Sequence, residues 1–375
     1  MSEKSNSLVE VAKVFFKLGS IAFGGPAAHI AMMESEIVKK RKWMTHDHFL
    51  DLVGATNLIP GPNSTEMTMH CGHERAGWKG LFVAGICFIF PAVLITMAFA
   101  WLYEKYGQVP AAEMFIYGIK PAVIAIIIAT SYRLGKKALK SIELAILGVL
   151  TIVACLLGVN EIIALFGCGI IGILLYFAKT SGNTTNSFVP LFLIKMAIPS
   201  VKLGTFGVFW TFMKVGALLY GGGYVLFAFL DAELVSTGIL TRTELIDAIA
   251  VGQFTPGPVL STATFIGWQL NGFWGAIAAS IGIFLPSFIF VLILNPLIPR
   301  LRKSNVMSSF LDAVNIAAVA VIIVVCIEMG KETLTDWRTI AIAILGTLAV
   351  FFFKKLNPAF LVIGGSVFGA LLMQF

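Results

Sequence analysis

Two proline-glycine-proline breaks, each inside a long apolar segment, carry the residues whose types and spacing could do chemistry. Pro60-Gly61-Pro62 recurs 196 residues later as Pro256-Gly257-Pro258. Proline lacks the backbone donor that a helix needs and glycine tolerates unusual backbone angles, so a helix must stop at each break and a new one can begin behind it. The free N–H groups and the positive dipole end of the new helix attract anions. The two breaks therefore predict an anion-binding site.

Polar side chains flank both breaks and would add donors to this site. They are Asn57, Asn63, Ser64 and Thr65 at the first break and Gln253, Ser261 and Thr262 at the second. A tetrahedral oxyanion needs several converging donors, and broken helices in corresponding places of two halves are typical of a transporter site. The alternative is that the breaks are only kinks and that the hydroxyls bond to their own helix backbone.

Two lysines lie inside apolar segments, where a charge is costly and tends to face a cavity or a partner. Lys17 and Lys214 are 197 residues apart in equivalent positions, and each precedes a glycine pair, Gly24-Gly25 or Gly221-Gly222. We expect the lysines to balance the charge of a bound anion and the glycines to expose further N–H groups. We therefore expect alanine at either lysine to abolish transport. The alternative is that each lysine reaches the membrane interface or pairs with a carboxylate.

Glu66 has no acidic counterpart, because Thr262 occupies the matching position of the second break. An ionised carboxylate beside an anion site would repel the substrate, so Glu66 is a candidate proton-coupling group that must be protonated before the anion binds. Equally, Glu66 could neutralise Lys17 or Arg75. Four other acidic residues are duplicated near segment ends, where a solvated or ion-paired role is expected; they are Glu34, Glu36, Asp231 and Glu233.

A metal site is the hypothesis of a different class. His70, His73 and Glu74 offer three ligands within five residues, but the second half has Ile266 and Gln269 at the positions that match the histidines. We see no catalytic triad, phosphate-binding loop or dinucleotide fingerprint. The sequence therefore predicts neither a metal nor a cofactor and no enzyme activity, with an intramembrane metalloenzyme as the alternative.

The composition identifies an integral membrane protein. The 375 residues are 58% hydrophobic and only 13% charged, against roughly 45–50% apolar residues in a soluble domain. Apolar runs of about 20 residues recur from end to end, as in transmembrane helices. The net charge of +7 comes from basic residues in short loops between these runs. Membrane topology explains such loops better than nucleic-acid binding does.

The chain consists of two homologous halves. Besides the breaks, Phe16-Lys17-Leu18-Gly19 matches Met213-Lys214-Val215-Gly216, and Phe23-Gly24-Gly25 matches Tyr220-Gly221-Gly222. Each half contains six apolar segments, and a polar linker separates the halves. We expect a first repeat over 1–180, a linker over 181–202 and a second repeat over 203–375.

The loop charges suggest how the segments cross the membrane. If the segment around Pro60 enters and leaves by one face, the basic loops 39–42, 73–79 and 133–140 all become cytoplasmic. Each half then has five crossings, and an odd number inverts the second half relative to the first. The expected fold is an all-α inverted repeat with about ten crossings, plus broken or re-entrant helices at the two breaks. Gly24-Gly25-Pro26 could also break the first segment.

These motifs resemble the bacterial chromate ion transporter family, in its long form with two halves. The resemblance covers nearly the whole chain and depends on both breaks in their context. The matching stretches are Phe23 to Pro26, His29, Trp43, Asn57 to Met67, Gly77-Trp78, Gly221 to Gly223 and Gly252 to Pro258. The second half departs mildly from the family, with Tyr220 and Asp231 in place of the usual Phe and Glu.

The resemblance implies a multi-pass secondary transporter of the bacterial inner membrane that exports chromate and for which sulfate is a structural mimic. An ion gradient or anion exchange, as in an antiporter, would drive it. An exporter of sulfate or another small anion is the nearest alternative, and a structural membrane scaffold is a third. The expected partners are the anion, the lipid bilayer and a second copy of the chain in a homodimer, with no nucleic acid.

Overall fold

The computed structural model describes residues 2–23, 25–56, 59–107, 110–180, 204–220, 223–294, 304–353 and 357–373. Four residues with predicted roles lie outside this part of the chain, namely Gly24, Asn57, Gly221 and Gly222, as does the linker at 181–202. The boundaries of the linker therefore stay a prediction.

The described residues form fourteen α-helices and no strand. The first half contains α1 (Ser2–Ile21), α2 (Pro26–Met33), α3 (His46–Thr56), α4 (Asn63–Tyr106), α5 (Pro110–Ala138), α6 (Ile142–Leu156) and α7 (Glu161–Thr180). The second half contains α8 (Thr205–Leu218), α9 (Val225–Leu230), α10 (Arg242–Phe254), α11 (Thr262–Leu294), α12 (Asn305–Thr333), α13 (Trp337–Phe352) and α14 (Pro358–Leu372). Helices α2 and α9 continue as π-helical turns over Glu34–Lys40 and Asp231–Val235.

Helices α4 and α11 each consist of two arms that fold back on each other. The backbone leaves the helical region at Ala76 and Gly77 in α4 and at Asn271 and Gly272 in α11, and both glycines have a positive φ. A side chain on Gly80 would overlap the carbonyl oxygen of Gly72 on the facing arm. The arms are therefore antiparallel and in backbone contact.

Two hairpins of the first half open at the same end of the bundle. Hairpin 1 is α1 with α2, and its ends are joined by Arg41 Nη1, which lies 2.8 Å from Glu10 Oε1. Hairpin 2 is α3 with the first arm of α4, where His48 Nε2 lies 3.3 Å from Glu74 Oε2. Arg75 at the end of that arm also contacts Glu10, at 2.8 Å. We call this end of the bundle the basic end.

The corresponding hairpins of the second half open at the opposite end, which we call the far end. Hairpin 3 is α8 with α9, and hairpin 4 is α10 with the first arm of α11. The outer part of hairpin 4 contacts the end of α4, where Trp268 Nε1 donates to Glu104 Oε2 at 2.7 Å. Glu104 lies roughly 37 Å along the second arm of α4 from Lys79 at the basic end. The halves are therefore inverted, as predicted.

The first segment of each half was expected to cross the membrane, but it folds back as a hairpin. This segment is hairpin 1 in the first half and hairpin 3 in the second. Its glycine-rich break reverses the direction of the chain, as the Pro-Gly-Pro break does in the segment that follows. The second arm of α4 or α11 and the three helices that follow it make up the rest of each half. Five described helices are long and apolar enough to cross a membrane. The exact number of crossings stays a prediction.

The apolar cores of the two halves differ in extent. Hairpins 1 and 2 pack with α4 in a cluster of their own that includes Phe15, Phe49 and Phe88. Hairpins 3 and 4 belong to the main core, which continues through α5, α7 and α12.

Candidate functional site

The four hairpin tips meet inside the bundle and exchange hydrogen bonds in symmetric pairs. Gly61 in the tip of hairpin 2 donates its N–H to Leu219 O in the tip of hairpin 3, at 2.7 Å. Gly257 in the tip of hairpin 4 donates to Ala22 O in the tip of hairpin 1, at 2.8 Å. These donors and acceptors occupy equivalent positions in the two halves. The glycine N–H of each Pro-Gly-Pro break therefore binds a carbonyl oxygen of the other half.

Both Pro-Gly-Pro glycines are in conformations and surroundings that admit no side chain. Gly61 has φ 142° and Gly257 has φ 89°, which are left-handed values that favour glycine. A Cβ on Gly61 would overlap the Glu66 carboxylate and the Ser287 hydroxyl. One on Gly257 would lie 2.9 Å from the Cβ of Ala92 and 3.2 Å from Gly19 O. The flanking prolines, Pro60, Pro62, Pro256 and Pro258, lie between the helices as the sequence predicts.

Completely buried hydroxyls lie at equivalent positions just behind the two breaks. Thr65 Oγ1 and Ser261 Oγ are both fully buried, and neither has a hydrogen-bond partner in the part of the chain that the structure describes. The Gln253 Nε2 amide, which precedes the second break, is also buried without a partner. Buried polar groups are normally paired because losing water without a replacement costs roughly 1–3 kcal/mol. These three side chains are therefore available as donors at the tips, and their role in binding stays a prediction.

The other polar residues near the breaks are less available. Thr262 Oγ1 donates to Val259 O at 2.9 Å, so its hydroxyl bonds to its own backbone. Ser64 is buried in the first turn of α4, and Asn63 precedes it at half-buried exposure. Gly25, with φ 81°, is the N-cap of α2 at the tip of hairpin 1.

Glu66 is fully buried in the first turn of α4, and neither carboxylate oxygen has a hydrogen-bond partner among the described residues. It lies beside Gly61 and Ser287 and pairs with neither Lys17 nor Arg75. A buried carboxylate without a cation or a donor carries a large desolvation cost when it is ionised. The role of Glu66 as a proton-coupling group stays a prediction.

His29 adds an asymmetric contact that the motifs did not single out as functional. Its Nε2 lies 3.0 Å from Ala22 O, the same oxygen that accepts from Gly257. Leu226 stands at the equivalent position of the second half. The tip of hairpin 1 is thus held by two donors, whereas the matching tip of hairpin 3 lacks the histidine.

The two lysines lie in the arms of hairpins 1 and 3. Lys214 Nζ is 2.5 Å from Glu233 Oε2. Lys17 is exposed, and its charge acts on Glu36, the residue equivalent to Glu233. Lys214 therefore pairs with a carboxylate, which was the alternative to a role in anion binding. The charge-balancing role of both lysines stays a prediction.

The duplicated acidic residues are ion-paired, as expected. Glu34 contacts Lys39, Glu36 contacts Lys40 and Arg41, and Asp231 contacts Arg242. Among the described residues no three His, Cys, Asp or Glu side chains are grouped as metal ligands. Glu74 contacts His48 instead. The metalloenzyme alternative has no support in this part of the chain.

Three residues next to the tips escaped the sequence reasoning. Tyr224 in hairpin 3 places its hydroxyl 3.3 Å from the position of a Cβ on Gly25. The same hydroxyl lies against the side chains of Thr130 and Gln253. Arg133, one turn beyond Thr130 in α5, was assigned to a basic loop because it ends an apolar run. Only the fold brings α5 beside the glycine-rich tips.

The comparison with protein families matches both halves of the chain. The profile described as Chromate transporter matches residues 9–173 and, again, residues 206–370. The two matched regions together cover most of the chain and follow the inverted halves. No solved structure matches the chain.

Several named proteins are similar to the chain over nearly their whole length. A probable chromate transport protein of Synechococcus elongatus is 30% identical over 369 residues, which cover 95% of this chain and 93% of that protein. A chromate transport protein of Cupriavidus metallidurans is 28% identical, with 97% and 92% covered. An uncharacterized transporter of Methanocaldococcus jannaschii is 27% identical, with 100% and 96% covered.

Proposed function

Because the chain belongs to the chromate transporter family, we propose that it carries chromate across the membrane and binds it where the four hairpin tips meet. The observation that carries the location is the pair of buried, unpartnered hydroxyls of Thr65 and Ser261 at equivalent positions behind the two breaks. They belong to opposite halves, so a ligand bound to both would lie at the contact between the halves.

The donors at the tips suit an oxyanion that must also be released. Thr65 and Ser261 supply hydroxyls and Gln253 supplies an amide, all of them neutral. Backbone N–H groups at the start of α4 and α11 add the positive ends of two helix dipoles. A fully charged pocket would hold a dianion tightly and slow its release. Chromate and sulfate share the tetrahedral shape and the double charge, so these donors favour the class of anion rather than one member.

The direction we propose is from the basic end to the far end, which makes the transporter an exporter. The basic end carries Arg41, Arg75, Arg133 and the lysines at 136, 137 and 140. Positively charged loops remain on the cytoplasmic side of a membrane. The basic end is therefore the cytoplasmic one in this proposal.

We propose that Glu66 couples anion binding to protonation, so that the anion and one proton cross the membrane together. The carboxylate is neutral while the tips are closed, because no cation or donor compensates it there. Loss of its proton would place a negative charge beside the site and repel the dianion. A proton taken up with the anion at the basic end and released with it at the far end would thus let Glu66 favour anion binding and then anion release on opposite sides. The dianion and the proton carry a net charge of −1, which a membrane potential negative on the cytoplasmic side drives outward.

The tips close the path between the two ends in this conformation. The Gly61 to Leu219 and Gly257 to Ala22 hydrogen bonds join hairpins that open at opposite ends. Opening a path to one end requires hairpins of one half to separate from those of the other half. Alternating access would then consist of moving one hairpin pair against the other around the site.

The proposal is tested by chromate uptake into everted membrane vesicles, whose outer face is the cytoplasmic one. With an imposed proton gradient, acidic outside, we expect uptake well above that of vesicles without the protein, and inhibition by sulfate. Uptake that ignores the gradient would overturn the role of protons but not transport. No uptake, with folded protein shown in the membrane, would overturn chromate as the cargo. Sulfate uptake in its place would favour the second candidate, a sulfate exporter.

A further inference from the structure

We propose that Arg133, Thr130 and Tyr224 form the entrance subsite through which an oxyanion passes from the basic end to the hairpin tips. The inference rests on the proposed function and adds the residues that first recognise the anion. It replaces neither the donors behind the breaks nor Glu66.

Arg133 is the cation of this entrance. It lies five residues before the end of α5, near the basic end, and its side chain is exposed. Arg41, Arg75 and Arg242 each contact a carboxylate, but Arg133 has none within salt-bridge distance among the described residues. Its guanidinium instead lies 3.4 Å from the Thr130 hydroxyl. An arginine whose charge is not compensated by the protein is available to a dianion.

Thr130 connects the exposed arginine to the interior. It is 5% exposed and lies one turn deeper than Arg133 on the same face of α5. Its side chain lies against the Tyr224 hydroxyl, and Tyr224 is 9% exposed. The lipid-facing groove between α5, α6 and α12 is lined by a different set of α5 residues, including Ser131, Tyr132 and Lys136. Arg133 and Thr130 therefore belong to the side of α5 that faces the hairpins.

Tyr224 ends this row of donors at the tips. Its hydroxyl is at the tip of hairpin 1, where only a glycine at position 25 leaves room, and it lies against Gln253. Gln253 is more than nine-tenths buried, and apart from this contact its Nε2 has no hydrogen-bond partner among the described residues, so at least one of its two N–H bonds is unpaired. An unpaired donor at the inner end and an unpaired cation at the outer end are what a path for an anion requires.

The charges along the row favour passage in one direction. No carboxylate contacts Arg133, Thr130, Tyr224 or Gln253 in the described part of the chain. At the far end the equivalent position in α12 is acidic, because Glu328 replaces Arg133 and Val325 replaces Thr130. The fold thus repeats, but Arg133 and Thr130 have no equivalent in α12. An anion is attracted to the unpaired Arg133, whereas Glu328 at the equivalent place is paired with Arg242 and Lys331.

The test compares the chromate concentration dependence of uptake into everted vesicles for wild type, Arg133→Ala, Arg133→Lys and Lys136→Ala. Arg133→Ala is expected to raise the KM about tenfold or more, since a charge-assisted hydrogen bond is lost, with little change in the maximal rate. Arg133→Lys keeps the charge and is expected to fall between wild type and Arg133→Ala. Lys136 is a cation one turn away on the groove side of α5, and its removal is expected to leave the KM unchanged.

Two further measurements separate an entrance from a merely structural role. Lower ionic strength should increase the difference between wild type and Arg133→Ala, because steering by charge is screened by salt. Tyr224→Phe, which keeps the ring, should raise the KM as well. A KM equal to that of wild type in both Arg133→Ala and Tyr224→Phe overturns the entrance while transport itself stands. If wild type shows no uptake, the proposed function fails and the entrance with it.

Discussion

The two halves share one arrangement of hairpins but anchor them differently. In the first half, hairpins 1 and 2 are tied to each other at the basic end, where Glu10 contacts Arg41 and Arg75 at 2.8 Å each. The Trp43 ring lies between the two guanidinium groups, 6.0 and 5.5 Å from them. None of these residues belongs to the helices that surround the hairpins.

In the second half, the hairpins are tied to those surrounding helices. Arg242 at the start of hairpin 4 contacts Asp231 of hairpin 3 and also Glu328 and Glu332 of α12. Asp247 accepts a hydrogen bond from Tyr103 of α4 at 2.7 Å and lies 3.5 Å from Lys120 of α5. The apolar cores follow the same division, since hairpins 3 and 4 alone belong to the main core.

The repeated sequence pattern therefore determines the shape of the hairpins in both halves. A few charged residues determine which pair of hairpins is bound to the surrounding helices and which pair is not. Hairpins 1 and 2 form a unit with its own core and its own ionic contacts. We expect this unit to move against the second half during transport. It also carries Glu66, the acidic residue that the second half lacks.

The largest effect is expected from the tip glycines, where the two halves should behave alike. Gly61→Ala and Gly257→Ala should each abolish chromate uptake, because the backbone is left-handed and no room exists for a Cβ. The matched control is Gly158→Ala, at φ 91° but with open space around it, which should cost only about 1 kcal/mol of stability. Normal uptake by either tip variant would show that the tips do not form the site.

The second prediction compares the residues that differ between the two Pro-Gly-Pro breaks, Glu66 and Thr262. Glu66→Gln should lose uptake driven by the proton gradient but keep exchange of chromate across the membrane, because the amide cannot carry the proton. Thr262→Val at the equivalent position should change little, since that hydroxyl bonds only to Val259 O. The measurement is uptake with and without the gradient, together with exchange of labelled chromate. Gradient-driven uptake by Glu66→Gln would remove its coupling role.

The third prediction compares the two sets of anchors through thermal stability in detergent. Arg242→Ala leaves Asp231, whose side chain is 6% exposed, without its partner, and should cost about 3 kcal/mol. Arg75→Ala breaks a pair with Glu10 in which the two side chains are 41% and 29% exposed, and should cost less than about 1 kcal/mol. Equal losses of melting temperature would contradict the different anchoring of the halves.

The smallest effect is expected at Lys214, where two roles can be separated. Lys214→Ala should lower uptake moderately, because Glu233 loses a partner worth about 1 kcal/mol at this exposure. The double variant Lys214→Ala with Glu233→Ala should recover most of the uptake if the lysine only neutralises Glu233. An inactive double variant with normal stability would instead support the charge-balancing role predicted for Lys214 and Lys17.

Much of the fold is determined locally and could be predicted. The membrane class follows from composition, and the breaks at Pro60 and Pro256 follow from what proline and glycine do to any helix. The duplicated acidic residues were expected to be ion-paired because they lie near segment ends, and Glu36 and Asp231 are. The resemblance of the motifs to one family was confirmed by the match to both halves.

The site was predictable only in part, because the motifs mark where the backbone breaks and not what faces the break. Thr65, Ser261 and Glu66 follow directly from their place behind a break. Tyr224 and Thr130 gave no signal, since their role depends on a contact between hairpin 3 and α5. The inversion was predicted from loop charges by counting five crossings per half, and one of these five, the first segment, is a hairpin in the structure.

The sequence by itself determined where each helix stops, because a missing N–H or a permissive glycine acts on the chain within one turn. It also determined that the two halves share one pattern. Only the tertiary structure decided where the chain goes after each break. The direction depends on partners about two hundred residues away, such as Leu219 for Gly61 and Ala22 for Gly257, and a backbone donor finds its acceptor only when both halves have folded together.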